Sequence, residues 1–318
     1  MPRARKSPED KLEDQIKIIA DRSDKHLLDN LGSNDLKLKP QDTEYPPHTM
    51  LKLAYLNYYL GVFLPIAGYW KKQGKFDKIV FIDAFAGSGL VRILRTKYSV
   101  LGSTLLAATA TARGTAFDEI IAVEIDSDRC NLLRSRCSQL GLSNVSVING
   151  DVNNVISSLP RLFNITNKTI VMLFIDPEGM EPEFSKFLVL SSATDYLDIM
   201  LNYTFGIRRL NGRIEYNHNS ADIKKMQAMI PNWVPGNYPD ERLADFFENN
   251  FGKPKGRSVG IHSTGGKEEY SIVLRVRQTW GDSQWLNAMD EFGEYISRTD
   301  GDHALTALQI VTGDQLKL

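Results

Sequence analysis

Polar residues stand where each of five short apolar runs of this sequence ends. The first run, in FIDAFAGSGL, ends at Asp83 and is followed by Gly87 and Gly89. The other four ends carry Glu124, Gly150 with Asp151, the DPEG corner of residues 176–179, and Asn202 with Tyr203. In an open parallel sheet, ligands bind outside the carboxyl ends of the strands. Because a purely structural sheet has no need of five polar strand ends, the pattern predicts a nucleotide-like cofactor site.

The spacing of these residues distinguishes between cofactors. A dinucleotide fold needs G-x-G-x-x-G and a carboxylate about 20 residues later, whereas no third glycine follows Gly89 and Glu124 lies 35 residues on. The Gly-Lys-Ser/Thr of a phosphate-binding loop is missing too. S-adenosylmethionine needs a glycine turn, a carboxylate for its ribose and a polar contact for its adenine. The residues expected to bind it are Lys52, Asp83, Phe85, Gly87, Gly89, Ser103, Glu124 and Asp151.

The extra length before Glu124 suggests an insertion. GSTLLAATATA is predicted as the helix that follows the first strand, with Gly102 and Ser103 at its start. LVRILRTKYSV is then an insertion that arches over the site. Its basic residues form either a solvated face or a rim that faces the substrate, and they are Arg92, Arg95 and Lys97.

The DPEG corner is expected to position the acceptor of a transferred group. Asp176, Pro177 and Glu178 follow the apolar run VMLFI, and the proline restricts the backbone there. Enzymes that methylate amino groups of bases carry Asp/Asn-Pro-Pro-Tyr/Phe at this place, with the aromatic ring stacked on the base. Here Glu-Gly replaces the second proline and the ring. Glu178 is either a base or acceptor for a substrate N–H, or a solvent-facing carboxylate of a tight turn.

The end of the fifth run offers substitutes for the missing ring. Asn202 and Tyr203 are expected to contact the substrate, and either Tyr203 or Phe205 is the candidate for stacking on it. Lys52, in HTMLK, either reaches the carboxylate of the cofactor or lies on the surface.

Alternating strands and helices predict the fold class. Five short apolar strands separated by helices indicate an α/β protein with a mostly parallel, doubly wound, Rossmann-like sheet. RSVGIHSTGGKEEYSIVLRVR predicts an antiparallel strand pair that closes the sheet. The predicted parts are an arm with one helix at 1–47, a domain at 48–277 with an insertion at about 205–257, and an extension of one helix at 278–318. Two helices are predicted in the insertion, SADIKKMQAMI and ERLADFFENNF.

Composition excludes several classes of protein. Apolar residues make up 42% and charged residues 24%, and the net charge of −1 gives no overall attraction to nucleic acid. The basic start, MPRARK, is interpreted as a frayed tail. No signal peptide and no apolar run of the ~18 residues that span a membrane are found. Cys130 and Cys137 suit neighbours on a helix face better than a metal site, so we expect a reduced, cytoplasmic protein without a metal.

The motifs together resemble a known family. HTMLK, FIDAFAGSGL, GST-LLA, VEID and FIDPEG, within roughly residues 48–205, are similar to those of the three-Cys-motif partner proteins of bacteria and archaea. That group resembles class I S-adenosylmethionine-dependent methyltransferases. The resemblance implies a Rossmann-like methyltransferase fold and a partner protein with three cysteines that looks like a radical S-adenosylmethionine protein.

Two functions follow from these observations. The first is an S-adenosylmethionine-dependent methyltransferase that acts on a nucleobase or modified nucleotide in nucleic acid, held by the insertion and the arm. The second is a non-catalytic, methyltransferase-like module that docks the three-cysteine protein. The altered DPEG corner favours the second function, whereas the carboxylates of Glu124 and Asp151 favour the first.

Overall fold

The computed structural model describes residues 7–28, 39–40, 42–96, 98–217, 219–277 and 285–313. Some predicted features lie outside the described residues: MPRARK, Lys97, residues 278–284 of the predicted C-terminal extension and the side chain of Phe205. In chain order, the strands are β1 (Glu44–Tyr45), β2 (Lys78–Asp83), β3 (Leu90–Ile93), β4 (Ser99–Leu101), β5 (Glu119–Glu124), β6 (Val145–Asn149), β7 (Thr169–Ile175), β8 (Leu197–Thr204), β9 (Lys255–His262) and β10 (Glu268–Val276). The helices are α1 (Pro8–Leu28), α2 (Thr49–Lys72), α3 (Ser103–Ala108), α4 (Ser127–Gln139), α5 (Val152–Val155), α6 (Leu159–Leu162), α7 (Phe184–Ala193), α8 (Phe205–Asn217), α9 (Ser220–Met229), α10 (Pro239–Phe251), α11 (Leu286–Ile296) and α12 (Gly301–Thr312).

A seven-stranded sheet determines where the polar strand ends meet. Its order is β6-β5-β2-β7-β8-β10-β9. Every neighbouring pair is parallel except the two that contain β10, which is antiparallel to both β8 and β9. The predicted fold class is confirmed, with the five apolar runs as β2, β5, β6, β7 and β8. Since these five strands are parallel, their carboxyl ends share one edge of the sheet.

Helix α2 lies in the core on one face of the sheet. It has 24 residues, and by length and composition alone it is apolar enough to cross a membrane, so the expectation that no such segment exists was wrong. However, 72% of its most apolar window is buried inside the protein. This burial is typical of a core helix, which the sequence pattern cannot distinguish from a membrane span.

The predicted arm and C-terminal extension both pack on the face that carries α2. Leu12 and Ile16 of α1 and Leu308 of α12 belong to the same core cluster as Phe81 of β2. Two helices, α11 and α12, stand where the sequence indicated one. Helix α11 packs on β9 and α2, and α12 packs on α1 and α2. This packing explains why they form, because each helix buries one apolar side.

The predicted insertion covers the opposite face of the sheet. It contains α8 in addition to the two predicted helices, α9 and α10. Ile207, Leu210 and Ile214 of α8 are buried in one cluster with Trp233 and Phe247. Helix α8 was not predicted, because its glycines and charged residues obscure the three apolar positions in the sequence.

The stretch LVRILRTKYSV forms a hairpin, β3–β4, that pairs with β1 in a separate three-stranded sheet. Arg92 makes an ion pair with Glu44 at 2.7 Å and Arg95 pairs with Asp302 at 3.5 Å, and these side chains are 44–58% exposed. The two arginines therefore form a solvated surface rather than a substrate-facing rim.

The two cysteines lie on α4 and point into the protein. Cys130 and Cys137 are neighbours on this helix, as their spacing predicted, and both are buried. Burial raises the pKa of the Cys137 thiol to about 12, so it stays protonated near neutral pH.

Candidate active site

A cleft opens at the carboxyl edge of the sheet, where the predicted site residues converge. Its volume is about 400 Å³, within the range of about 300–1,000 Å³ that is usual for ligand pockets. It adjoins a smaller chamber of about 50 Å³. Glu124 and Asp151 line the cleft, whereas Lys52, Gly89 and Ser103 line the chamber. The residues that border both are Tyr45, Phe85, Gly87, Arg129 and Asp176.

The glycine turn after β2 needs its glycines for two different reasons. Gly87 has φ +62° and a Cβ there would meet no heavy atom within 4 Å, so it would project into open space. Gly89 has φ +90°, and its Cβ would lie 2.7 Å from Leu133 Cδ1. The turn is held against the start of α3, because the N–H of Gly102 donates to the carbonyl of Gly89 at 2.7 Å.

Asp83 anchors the turn from behind the cleft. It is 0% exposed and accepts hydrogen bonds from Ser103 Oγ at 2.6 Å and Thr104 Oγ1 at 2.7 Å. Burial raises the pKa of this carboxyl to about 6, although the two hydroxyls oppose the shift. The predicted direct contact between Asp83 and a cofactor is therefore corrected to a positioning role, because no surface of Asp83 reaches the cleft.

Glu124 faces the cleft and holds the turn as well. Its Oε2 accepts from the N–H of Gly87 at 2.7 Å and its Oε1 from the N–H of Asp126 at 2.8 Å. A carboxylate has about four lone-pair positions, so both oxygens can still accept hydrogen bonds from ligand hydroxyls. Glu124 is thus placed as the sequence analysis expected, with its orientation determined by two backbone donors.

Asp151 lies at the far end of the cleft, at the start of α5. It caps this helix by accepting from the N–H of Asn153 at 2.9 Å. The amide of Asn153 donates to the carbonyl of Glu181 at 2.8 Å and accepts from the N–H of Glu183 at 2.8 Å. Asn153, which the sequence analysis did not select, therefore connects the adenine end of the predicted site to the segment that follows DPEG.

Asp176 is held by two donors from other elements. Lys52 Nζ lies 2.5 Å from its Oδ2, and Asn202 Nδ2 lies 2.6 Å from its Oδ1. Burial alone would lower the pKa of Lys52, but the charge of Asp176 and its hydrogen bond raise that pKa above the ordinary value. Lys52 therefore stays protonated. It is not a surface lysine, since it forms an ion pair with Asp176. Lys52 also lines the chamber and has three N–H donors, so its contact with a cofactor carboxylate stays a prediction.

The other residues of the DPEG corner have different surroundings. Pro177 is buried and lines neither cavity. The side chain of Glu178 is 72% exposed and lies 3.5 Å from Arg129 Nη1. Arg129 also donates to Thr43 Oγ1 at 3.4 Å, so Glu178 is connected to the segment before α2.

Tyr203 is not brought to this group of residues. Successive side chains of a strand point to opposite faces, so Asn202 meets Asp176 while Tyr203 packs into the core under the insertion. Tyr203 borders a separate cavity with Asp240 and Arg275. Among the described residues, the aromatic rings that line the cleft are those of Phe85, whose contact with a cofactor stays a prediction, and Tyr45, which was not predicted.

A buried ion pair attaches the segment before α2 to the glycine turn. Arg136 and Asp42 form a bidentate pair with both N···O distances at 2.6 Å, and their side chains are 0% and 1% exposed. Arg136 Nη1 also donates to the carbonyl of Ser88 at 2.8 Å, and Ser88 Oγ donates to Asp42. The one sequence sign of this pair is an arginine beside Leu133 and Cys137 on the buried side of α4.

Comparison with solved structures finds similar folds at low sequence identity. M. jannaschii TYW2 in complex with AdoMet is 16% identical, with 64% of this chain and 71% of that chain covered and a TM-score of 0.35. Trm1 from Pyrococcus horikoshii with S-adenosyl-L-methionine is 12% identical, with 73% and 56% covered and a TM-score of 0.42. The O-methyltransferase from Bacillus cereus in complex with SAH is 14% identical, with 87% and 94% covered and a TM-score of 0.38.

These similarities concern the Rossmann-like fold alone. No protein-family model matches the sequence, and no curated protein matches it either. The chemistry of the site is therefore assigned from the contacts described above.

Alanine substitutions should separate the two reasons for the glycines. Gly87→Ala is expected to cost about 1–2 kcal/mol of unfolding free energy, since only the left-handed backbone is strained. Gly89→Ala should cost more, because the clash with Leu133 is added. Urea unfolding of both variants tests this. Gly74→Ala (φ +72°, with nothing within 4 Å of its Cβ) is the control and should match Gly87→Ala. Equal losses at positions 87 and 89 would contradict the role of the clash.

Removing one partner of the buried ion pair should destabilise the protein strongly. Asp42→Ala leaves the Arg136 guanidinium buried without its carboxylate, at a cost of about 3–5 kcal/mol. Asp42→Leu combined with Arg136→Met should recover most of that loss, because no buried charge is left unpaired. Asp222→Ala is the control, because Arg213 in that pair is 58% exposed and the expected loss is at most about 1 kcal/mol. A double variant no more stable than Asp42→Ala would argue against this account.

The raised pKa of Asp83 makes stability depend on pH. The folded protein binds this proton up to about pH 6, whereas the unfolded chain releases it near 3.9. The contribution of Asp83 to stability is therefore complete below the unfolded pKa and is lost as the pH rises through about 6, by up to about 3 kcal/mol. Asp83→Asn should lack this dependence. Denaturant unfolding of both proteins between these pH values tests it, and parallel pH profiles would contradict it.

Proposed function

We propose that this protein is an S-adenosylmethionine-dependent methyltransferase that acts on an amine nitrogen of a nucleobase in nucleic acid. The observation that carries the proposal is the cleft of about 400 Å³ at the carboxyl ends of the parallel strands. It combines the turn at Gly87 with the carboxylates of Glu124 and Asp151. In the sheet, β10 lies between β8 and β9 and runs antiparallel to both. One reversed strand at this place is typical of class I methyltransferases, which supports the same function.

The charge of the cleft fits a sulfonium cofactor. Five carboxylates and one guanidinium border it: Glu124, Asp151, Asp176, Glu178, Glu181 and Arg129. This excess of negative charge favours a cation and disfavours the pyrophosphate of a dinucleotide. Gly87 leaves the room that a Cβ would fill. When bound, the cofactor supplies an electrophilic methyl group.

Each part of that cofactor has a candidate partner in the cleft. Backbone groups of the glycine turn would hold its amino-acid end, and Glu124 would accept hydrogen bonds from the ribose hydroxyls. Asp151 lies where a polar contact to the adenine amine is needed. Phe85 provides an apolar wall between the cleft and the smaller chamber.

Asp176 is placed to orient an acceptor amine. Two of its lone pairs accept from Lys52 and Asn202, and about two others are open to a substrate N–H. Because Lys52 stays protonated beside it, the carboxylate acts as a hydrogen-bond acceptor rather than as the base that removes a proton. Its contribution would be alignment of the nitrogen with the methyl group, the type of effect that provides up to about 7–11 kcal/mol in well-oriented reactions.

A planar substrate has aromatic partners in this cleft. The rings of Tyr45 and Phe85 border both the cleft and the chamber next to Asp176. Enzymes that act on a base extrude it and stack it on aromatic side chains. Tyr45 is therefore our candidate for the ring that the DPEG corner lacks.

One observation favours a second candidate function. Both oxygens of Asp176 already accept hydrogen bonds from the protein itself, as expected if the corner has a structural role. In that case the chain is a non-catalytic module that binds the cofactor or docks a three-cysteine partner protein.

Calorimetric titration with S-adenosylmethionine tests the cofactor site. We expect saturable binding to the wild type and a loss of at least about tenfold, or 1.4 kcal/mol, in Glu124→Gln. Glu183→Gln is the matched control, because this glutamate is on the same side of the sheet and pairs with Lys186 on the surface. Its affinity should equal that of the wild type. No binding to a folded wild-type protein would contradict the proposal.

Transfer of a labelled methyl group then distinguishes the two functions. With RNA and single-stranded DNA as substrates, Asp176→Asn should reduce transfer by about 100-fold, the loss that misalignment of a reacting group can cause, while cofactor affinity changes little. Lys52→Met with Asp176→Asn controls for the unpaired lysine. Cofactor binding without transfer to any nucleic acid, in the presence or absence of a three-cysteine protein, would support the non-catalytic module.

A further inference from the structure

A second pocket lies at the opposite end of the sheet from the candidate active site. It has a volume of about 90 Å³ and lies between α2 and the amino ends of β7 and β8. Six aromatic side chains form its walls: Tyr59, Phe63, Trp70, Phe76, Tyr196 and Trp285. Pockets for drug-sized ligands measure about 300–1,000 Å³, so this one accommodates a single ring system.

The floor of the aromatic pocket carries a carboxylate. Asp198 borders the pocket, and its Oδ2 accepts a hydrogen bond from the hydroxyl of Tyr59 at 2.7 Å. Among the described residues, none donates a hydrogen bond to the other oxygen, Oδ1. Polar atoms enclosed by apolar walls usually have partners, so this oxygen can accept a hydrogen bond from a ligand in the pocket.

Two cations stand at the mouth of the aromatic pocket. The guanidinium of Arg277 lies 4.0 Å from the ring centroid of Tyr196, and Lys75 Nζ lies 4.7 Å from that of Trp70. No described residue accepts a hydrogen bond from either side chain. Within the part of the chain that the structure describes, the donors of Arg277 and Lys75 are therefore available to an anionic group outside the pocket.

The surface around the mouth is apolar as well. Ile66, Tyr69 and Trp70 of α2 are 37%, 55% and 41% exposed. Exposed aromatic side chains beside basic ones are the combination that proteins use to bind single-stranded nucleic acid. Aromatic walls with a carboxylate also suit a quaternary ammonium ligand. Arg277 and Lys75 would repel such a cation.

We propose that this pocket binds a nucleobase that carries an exocyclic amine, as a nucleotide or as part of a single strand. The ring stacks against the aromatic walls, the amine donates to Asp198, and the phosphate contacts Arg277 and Lys75. The pocket is distinct from the active site, since Lys52 and Trp70 lie on α2 about 27 Å apart along the helix axis. It does not depend on the proposed methyl transfer.

Titration with mononucleotides, followed by tryptophan fluorescence and calorimetry, tests this proposal. CMP and AMP should bind more tightly than UMP and IMP, which lack the amine, by about fivefold or more. Trp70→Ala should weaken binding by about tenfold, consistent with about 1–3 kcal/mol for stacking one base. Asp198→Asn should abolish the preference for the amine, because an amide can also donate to a carbonyl. Melting temperatures confirm that the variants are folded.

Control variants show where the nucleotide binds. Tyr216→Ala, which changes an 87% exposed ring on α8 at the opposite face of the sheet, and Glu124→Gln, which changes the other cleft, should both leave nucleotide affinity unchanged. Arg277→Ala should weaken the binding of CMP more than that of cytidine, since only CMP has the phosphate. This variant leaves the Tyr59–Asp198 hydrogen bond intact, so it still tests the proposal if Asp198→Asn does not fold.

Comparing the affinities of CMP and cytidine oligomers shows whether the bound base belongs to a free nucleotide or to a strand. Tighter, salt-dependent binding of the oligomer indicates a strand, whereas equal affinity of oligomer and CMP indicates a free nucleotide. The proposal is overturned if no nucleotide or oligomer binds the folded protein. It is also overturned if binding is insensitive to Trp70→Ala and Asp198→Asn, or is lost in Glu124→Gln.

Discussion

The conformation of the turn at residues 87–89 is the constraint on which the candidate active site depends. Three parts of the chain hold this turn through its backbone: Glu124 accepts from Gly87, Arg136 donates to Ser88, and Gly102 donates to Gly89. Because none of these contacts uses a side chain of the turn, the glycines can remain without bulk and leave room for a ligand. The rigidity of the site thus comes from neighbouring elements rather than from the turn itself.

The carboxylates of the site divide into two groups according to their exposure. Asp42 and Asp83 are buried among protein donors and position other groups. Glu124 and Asp151 face the cleft and retain lone pairs for a ligand. Asp176 combines both roles, since it is paired with Lys52 and still borders the cavities. Carboxylates therefore both hold the site together and line its cleft, and burial decides which of the two roles each one has.

Helix α2 connects the two ends of the molecule. Near its start Lys52 neutralises Asp176, and near its end Trp70 forms a wall of the aromatic pocket. The helix is buried along most of its length, so its ends are held in a defined relation to the sheet. The candidate active-site cleft is acidic, while Arg277 and Lys75 lie at the mouth of the aromatic pocket. The two sites thus favour different ligands.

The sequence by itself determined the parallel sheet and the positions of Glu124, Asp151 and Asp176 at one edge, because local apolar runs and strand direction suffice for that. It also indicated the glycine turn. Only the tertiary structure decided which carboxylates reach a ligand: Asp83 is enclosed by α3, and Tyr203 faces away because side chains alternate along β8. The pairs Asp42–Arg136 and Lys52–Asp176 join residues that are 94 and 124 positions apart. No local pattern contains such contacts, since they arise when separate elements pack around one buried charge.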